Sequence, residues 1–391
     1  MVPGAPDPAE TVARSRCPGD GIERLTVEAI EDPHGLRAFI RFPEILYRDD
    51  PCWVPPLRRD ERARLSASNP FFAHADACLF LARWDREVAG RVAAIVDRWH
   101  LERWKDGAGF FGFFEVIADD SVAGSLFEAV RGWLRAQGLA VLRGPFNPST
   151  NDVCGLLTDG FQYPPRIMMP HNPSYYPTLL ERVGLRPVRE LLSYDLDVPP
   201  ALPEAVGRVA SAASVRGVRV RSLDPSRLSA EAEAFRSIYN AAWSENWGFV
   251  PMSESEAAWM ASHLRPVLVP ELALFAEWDG RPVGLFLCLP DLNPALRLLR
   301  GRVTPLGLLR FLLRRRRADE LRVTLLGVLP QFRRRGIEAL LLQEAFGAIR
   351  RLGYRRAELG WIDEENAVTR RAAERWGASV VKRYRMYETA L

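Results

Sequence analysis

Cysteine is scarce in this chain of 391 residues. The five present, Cys17, Cys52, Cys78, Cys154 and Cys288, are odd in number and scattered, with no pair spaced as a metal knuckle or a redox couple. That pattern argues against a disulfide framework and a structural zinc site, and sets the expectation of a reducing, cytoplasmic setting without a metal. Long apolar runs are also missing. No stretch reaches the ~18 residues that crossing a bilayer requires, so the chain is expected to be soluble or peripheral at the inner membrane face. Residues 1–23 hold Pro, Gly, Asp and Glu without an apolar segment, and read as a disordered tail, not a signal peptide.

Hydrophobic residues make up 48% of the chain and charged residues 26%, the balance of a folded globular protein. The length favours two domains. A formal net charge of +4 hides local excess, because arginines crowd positions 297 to 317, 333 to 335 and 350 to 356. No nucleic-acid reader motif accompanies them, so no nucleic acid partner is expected.

Comparing the chain with itself reveals its organisation. Ala82-Arg-Trp-Asp-Arg-Glu-Val-Ala-Gly90 matches Ala276-Glu-Trp-Asp-Gly-Arg-Pro-Val-Gly284 in spacing, and both read as strand, Trp-Asp turn, strand. Asn172 to Gly184 is echoed by Asn366 to Gly377, each a short helix closed by glycine. The expected fold is α/β (α+β): two tandem copies, residues 24–198 and 217–391, joined by a Pro- and Ala-rich linker at 199–216, each copy a mixed, mostly antiparallel sheet flanked by helices. Each copy is read as ending in its own strand, Leu191 to Leu196 and Arg383 to Thr389. The first carries an insertion at Pro145 to His171, the second at Pro290 to Ala318.

A strand ending at Val328-Leu-Pro, an arginine-rich turn, Gly336 and then a long amphipathic helix form a phosphate-binding arrangement. Free amides at a helix N-terminus face an anion, glycine lets the turn approach, and arginines add charge-assisted hydrogen bonds. Here the sequence resembles the GNAT (Gcn5-related N-acetyltransferase) superfamily, whose pyrophosphate loop follows a strand as basic-x-x-Gly-x-small. Arg333-Arg334-Arg335-Gly336-Ile337 matches that loop, and Asn366 with Glu374 to Gly377 is similar to the later cofactor-side motif. Copy one resembles the same fold without the loop, since its strand runs into Ala118-Asp-Asp-Ser. The whole resembles a tandem GNAT protein, and also a bacterial group marked by Gly144-Pro-Phe-Asn-Pro-Ser-Thr-Asn-Asp152 and Met168-Met-Pro-His-Asn172.

The resemblance implies acyl-CoA, acetyl or longer, as co-substrate and a primary amine as acceptor. Backbone N–H groups near Gly327 and Val328 would polarise the thioester carbonyl. A base must take a proton from the amine. Asp363 and Glu364 are the nearest candidates, or else an acidic first turn for the Asn366 helix; His171 and Glu115 of copy one are further candidates. The segment holding Asn240, Trp243, Asn246 and Trp247 falls where the family lines its acceptor pocket, or is core. Asn147, Asn151 and Asp152 shape a site or form an ordinary turn. Two departures stand out: Glu338 puts a carboxylate where the family prefers Gly or Ala, and Ala373 stands where a tyrosine general acid is usual. They keep open a degenerate GNAT fold used for binding or scaffolding.

Acidic residues are absent from Leu296 to Arg317, which mixes leucines with eight arginines. This suits either an anionic membrane surface or a helix packed on its own domain. On the first reading the acyl donor or the amine is long-chain, as in sphingoid-base N-acylation, the ceramide synthase reaction.

Overall fold

The computed structural model describes residues 25–391, so the expected tail lies outside the described residues. Copy one comprises β1 (Leu25–Ala29), α1 (Pro33–Leu46), α2 (Arg58–Arg64), β2 (Ala75–Trp84), β3 (Glu87–Asp97), α3 (Arg98–Trp104), β4 (Ala108–Val116), α4 (Asp120–Ala136), β5 (Val141–Gly144), the short β6 (Phe146–Asn147), β7 (Val153–Cys154) and β8 (Leu156–Asp159), α5 (Tyr176–Arg182) and β9 (Arg186–Asp197). Next come α6 (Glu204–Val215), β10 (Arg219–Ser222), α7 (Leu228–Ala242), α8 (Glu254–Leu264), β11 (Ala273–Trp278), β12 (Arg281–Pro290), α9 (Asn293–Leu296), α10 (Pro305–Arg315), β13 (Glu320–Val328), α11 (Ile337–Arg351), β14 (Arg356–Asp363), α12 (Ala367–Arg375) and β15 (Ser379–Ala390).

The two matched hairpins form as their turn chemistry dictates. Asp279 and Gly280 both take positive φ, 50° and 74°, as a two-residue turn with the strand twist demands, and Asp85 does the same at 51° in copy one. The segment read as a linker is helical over Glu204–Val215, and it buries Ala210 and Ala213 against α11.

One sheet carries both copies, in the order β1-β2-β3-β4-β5-β15-β9-β14-β13-β12-β11-β10, with β8 also paired to β15. Among the described residues, only β4 with β5 and β13 with β14 run parallel. The two halves exchange their last strands. β15 pairs with β5 of copy one, β9 pairs with β14 of copy two, and β9 and β15 pair with each other at the centre. Each copy therefore completes its sheet with the other's strand, which differs from the expected closure of each copy on itself.

Both faces of copy two's sheet are covered. Leu274, Phe286 and Cys288 face α6 and α11, while Phe275, Leu285 and Leu287 face α7 and α8. The insertion of copy one is clamped onto copy two by buried charge. Arg166 reaches Asp195 at 2.9 Å and Glu358 at 3.3 Å and also meets Glu320, Ile167 N–H donates to Asp291 at 3.0 Å, and Lys382 donates to the Pro164 carbonyl at 2.8 Å.

A second tie between copies runs through His74. Its Nδ1 lies 2.9 Å from Asp97, the N-cap of α3, and its Nε2 lies 3.4 Å from Glu256 of α8. Burial opposes its charge, but the bonds to Asp97 and Glu256 outweigh burial and push its pKa up to about 9. A raised folded pKa gives stability that is fully present below the unfolded value of 6.5 and is lost as pH rises through about 9. We therefore expect His74→Gln to cost at most about 3 kcal/mol at pH 6, and urea titrations of the two proteins to converge above pH 9. A gap that stays constant across that range would refute the ion-pair account.

Candidate active site

β13 and β14 pair only over Glu320–Val323 with Arg356–Leu359. Beyond that point β13 stays with β12 up to Val328, while β14 follows β9 through Ile362 and Asp363, so a gap opens through the sheet. Arg322 sits at its apex. Its Nε and Nη2 donate to the Gly360 carbonyl at 3.2 and 3.0 Å, and Nη1 donates to the Ile167 and Met168 carbonyls at 3.1 Å. Burial pulls its pKa below the usual guanidinium value. Along the β13 edge, Leu329 N–H donates to Val283 and Gly327 stands opposite Leu285. Residues 327 and 329 thus turn their N–H groups to β12, and the alternation of an antiparallel ladder turns those of Leu326 and Val328 to the gap.

A cavity of about 680 Å³ passes through this gap and is lined from both faces. Leu342 and Phe346 of α11 and Ala373 of α12 wall one side; Phe235 and Tyr239 of α7, Trp243 at its end and Met260 of α8 wall the other. Asn151, Asp152 and Cys154 of copy one reach the same space, as do Arg189, Asn246, Trp361, Asp363 and Asn366. Burial pushes the Asp152 carboxyl pKa above its ordinary value, although Ser149 Oγ donates to it at 2.9 Å. Tyr239 donates to Asn151 Oδ1 at 2.9 Å and fixes that side chain. Asp363 accepts from Arg189 Nε at 2.9 Å, and Asn366 caps α12 by accepting from Thr369 N–H at 3.1 Å.

At the mouth of the gap the arginine loop joins β13 to α11. Arg334 and Gly336 take φ of 62° and 84°, and a Cβ at Gly336 would stand 2.8 Å from the Val209 carbonyl of α6, so glycine is needed there twice over. Ile337 is buried, which anchors the first turn of α11 and its unpaired amides. Arg333 donates to the Ala242 carbonyl at 2.8 Å and bolts the loop to α7, while Arg335 lies over the Trp278 and Phe332 rings. Arg334 is exposed. Glu338 falls in the first turn, where the helix dipole favours a carboxylate.

Of the residues singled out from sequence, Asp363, Asn366, Trp243, Asn246, Trp247, Asn151 and Asp152 meet at the cavity. Others do not. Glu364 is exposed beside it. Asn240 exchanges two 2.9 Å hydrogen bonds with the Met252 backbone. Glu115 and His171 lie apart in copy one: Tyr47 and Tyr176 donate to Glu115 at 2.6 and 2.8 Å, and His171 Nε2 is 2.8 Å from Asp50. Asn147 belongs to a plug. Its Oδ1 accepts from Phe113 N–H at 2.5 Å, the Phe146 carbonyl fills the place of a Gly112 side chain, and Tyr176 OH caps the Val116 N–H at 2.8 Å. Copy one's equivalent of the gap is therefore closed by its own chain. Arg322, Arg189 and Trp361 were missed because strand periodicity reads them only as sheet residues, and Phe235, Met260, Leu342 and Phe346 because helical periodicity reads them only as core.

Gly327 carries no side chain where the Trp243 ring lies; a Cβ there would stand 2.4 Å from two ring atoms. Gly327→Ala is expected to push the indole into the cavity at a stability cost of roughly 1–3 kcal/mol. Thermal unfolding with tryptophan fluorescence checks this, and an unchanged midpoint and spectrum would refute the close approach of Gly327 and Trp243.

Comparison with known proteins agrees with this architecture. Residues 232–378 match the acetyltransferase (GNAT) family model. The chain is 36% identical over 373 residues to Protein YghO of Escherichia coli (strain K12), covering 93% of this chain and 94% of that protein. It is 35% identical over 375 residues to the bacterial ceramide synthase of Caulobacter vibrioides (strain NA1000 / CB15N), covering 94% and 98%. The fold is shared with a GCN5-related N-acetyltransferase from Sphaerobacter thermophilus (TM-score 0.51, 19% identity, 94% of this chain and 95% of that one). It is also shared with a tandem GNAT protein from the clavulanic acid biosynthesis pathway (TM-score 0.55, 11% identity, 94% and 98%). With the family model over copy two, relatives alike over nearly their whole length and the tandem fold in agreement, the chain belongs to the GNAT family of acyltransferases.

Proposed function

We propose that the chain transfers an acyl group from coenzyme A to the primary amine of a long-chain base, a reaction of the ceramide synthase type. The observation that carries this reading is the cavity through the β13–β14 gap, which has apolar side chains on both faces of the sheet and polar groups between them. A relative named as a bacterial ceramide synthase, 35% identical over nearly its whole length, supports it. The first-turn amides of α11 with Arg334 and Arg335 hold the pyrophosphate. The edge N–H groups of Leu326 and Val328 polarise the thioester carbonyl. Asp152, its basicity raised by burial, takes the first proton from the ammonium and frees the amine; the C–N bond forms, the C–S bond breaks, and the proton that the amide nitrogen then sheds passes to the departing coenzyme A thiolate, which leaves as the thiol. Asp363, engaged by Arg189, serves as a fixed polar wall.

We expect thiol release from long-chain acyl-CoA with sphinganine, and a loss of about 100-fold or more in Asp152→Asn. The rate should fall with acid through a pKa above the ordinary carboxylate range, a limb that the variant lacks. Turnover only with acetyl-CoA and small polar amines would overturn the substrate class; no thiol release with any amine would return the chain to a binding role.

The same reading gives the copy-two insertion a place. On α10, Leu306, Leu309 and Leu313 are 58%, 55% and 58% exposed, and Arg310, Arg314 and Arg315 share the helix, with Arg316 and Arg317 just beyond it. Apolar side chains ringed by cations fit an anionic lipid surface, each cation contributing roughly 1 kcal/mol. Flotation with phosphatidylglycerol vesicles should recover the protein, and Leu309→Glu with Leu313→Glu should abolish recovery. Equal recovery of the two proteins would exclude this surface.

A further inference from the structure

Behind the α7–α8 wall of the cavity lies a second space of about 60 Å³, enclosed by those helices and the sheet. It shares Phe235, Met260, Leu264, Phe286 and Leu287 with the main cavity, whereas Ala232 and Ala257 line the second space alone and so mark its far side. Its one charged lining residue, Glu231, is already engaged, accepting from Arg221 at 2.8 and 3.0 Å. A water there would lack the two to four polar partners that hold buried water, so the space suits hydrocarbon. Small residues on the far side and a flexible methionine on the near side make a partition that can yield. Met has three rotatable bonds and repacks readily, whereas Leu264 and Phe235 offer fewer alternatives.

We infer that the two spaces form one sleeve for an unbranched alkyl chain, with Met260 as its movable partition and Ala257 at its closed end. This rests on the acyl-transfer reading and adds a determinant of chain length to it. The chain belongs either to the acyl group or to the amine, and both present the same chemistry to these walls.

The test uses the full chain with Ala257→Phe, which fills the far space, and Met260→Ala, which removes the partition. In one arm acyl-CoAs from acetyl to palmitoyl are paired with one amine; in the other, amines of increasing length are paired with one acyl-CoA. Ala257→Phe should lower kcat/KM for the longest chain about tenfold relative to the shortest in one arm, and Met260→Ala should shift that arm's optimum to longer chains. The arm that responds identifies the occupant. Chain-length profiles parallel to the unaltered protein in both arms, or a uniform loss at all lengths, would overturn the sleeve. Should no pair release thiol, the acyl-transfer reading fails separately. The sleeve is then tested by binding of a pyrene-labelled palmitoyl chain, where weakening in Ala257→Phe supports it and equal affinity in both variants refutes it. Met260→Ala keeps the test open if the larger substitution fails to fold.

Discussion

Arg322 is the side chain on which the site depends. Backbone pairing of β13 with β14 stops after Val323 and Leu359, and the next carbonyl on β14, that of Gly360, accepts from the Arg322 guanidinium instead. The same group holds the Ile167 and Met168 carbonyls. A buried cation with its donors committed to carbonyls is costly to desolvate and costly to remove. It fixes where the two strands part, and so where the cavity passes through the sheet. It also seats the copy-one insertion, whose Arg166 spends its own charge on carboxylates of the central and copy-two strands.

The two copies solve the same geometrical problem in opposite ways. Gly90 pairs with Val116 and Gly284 with Val328, which makes Glu115 the counterpart of Gly327. In copy one the side chain at that position holds Tyr47 and Tyr176, and the latter caps a strand edge. In copy two the missing side chain makes room for Trp243. A carboxylate stands in copy one where copy two has a hydrogen atom, and together with the Asn147 plug it seals that edge; the sealed copy then lends Asn151, Asp152 and Arg189 to its neighbour's cavity.

Much of this was legible in the sequence where the signal is local. The Trp-Asp hairpins and the Arg-Arg-Arg-Gly entry to α11 depend on turn and helix-end chemistry carried by adjacent residues. The exchange of β9 and β15 was not legible, because an alternating strand fits any open edge of matching polarity, and only distant packing selects the edge. Asn147 and Asp152 lie in one polar run, yet one plugs copy one and the other faces the cavity. A carboxamide does not announce which amide it will meet. The burial of Arg322 was equally hidden, since a cation in a strand reads as solvated until its carbonyl partners arrive from elsewhere.

The crossed final strands have a bearing on how the protein comes to exist. Arg143 of β5 and Glu388 of β15 are 245 residues apart in sequence and bonded in space, so the edge of the first half waits unpaired through the synthesis of nearly all of the second. An edge left open that long invites pairing with the wrong chain. Cutting the protein at its midpoint would leave two fragments, each missing a central strand and each offering the other the one it lacks.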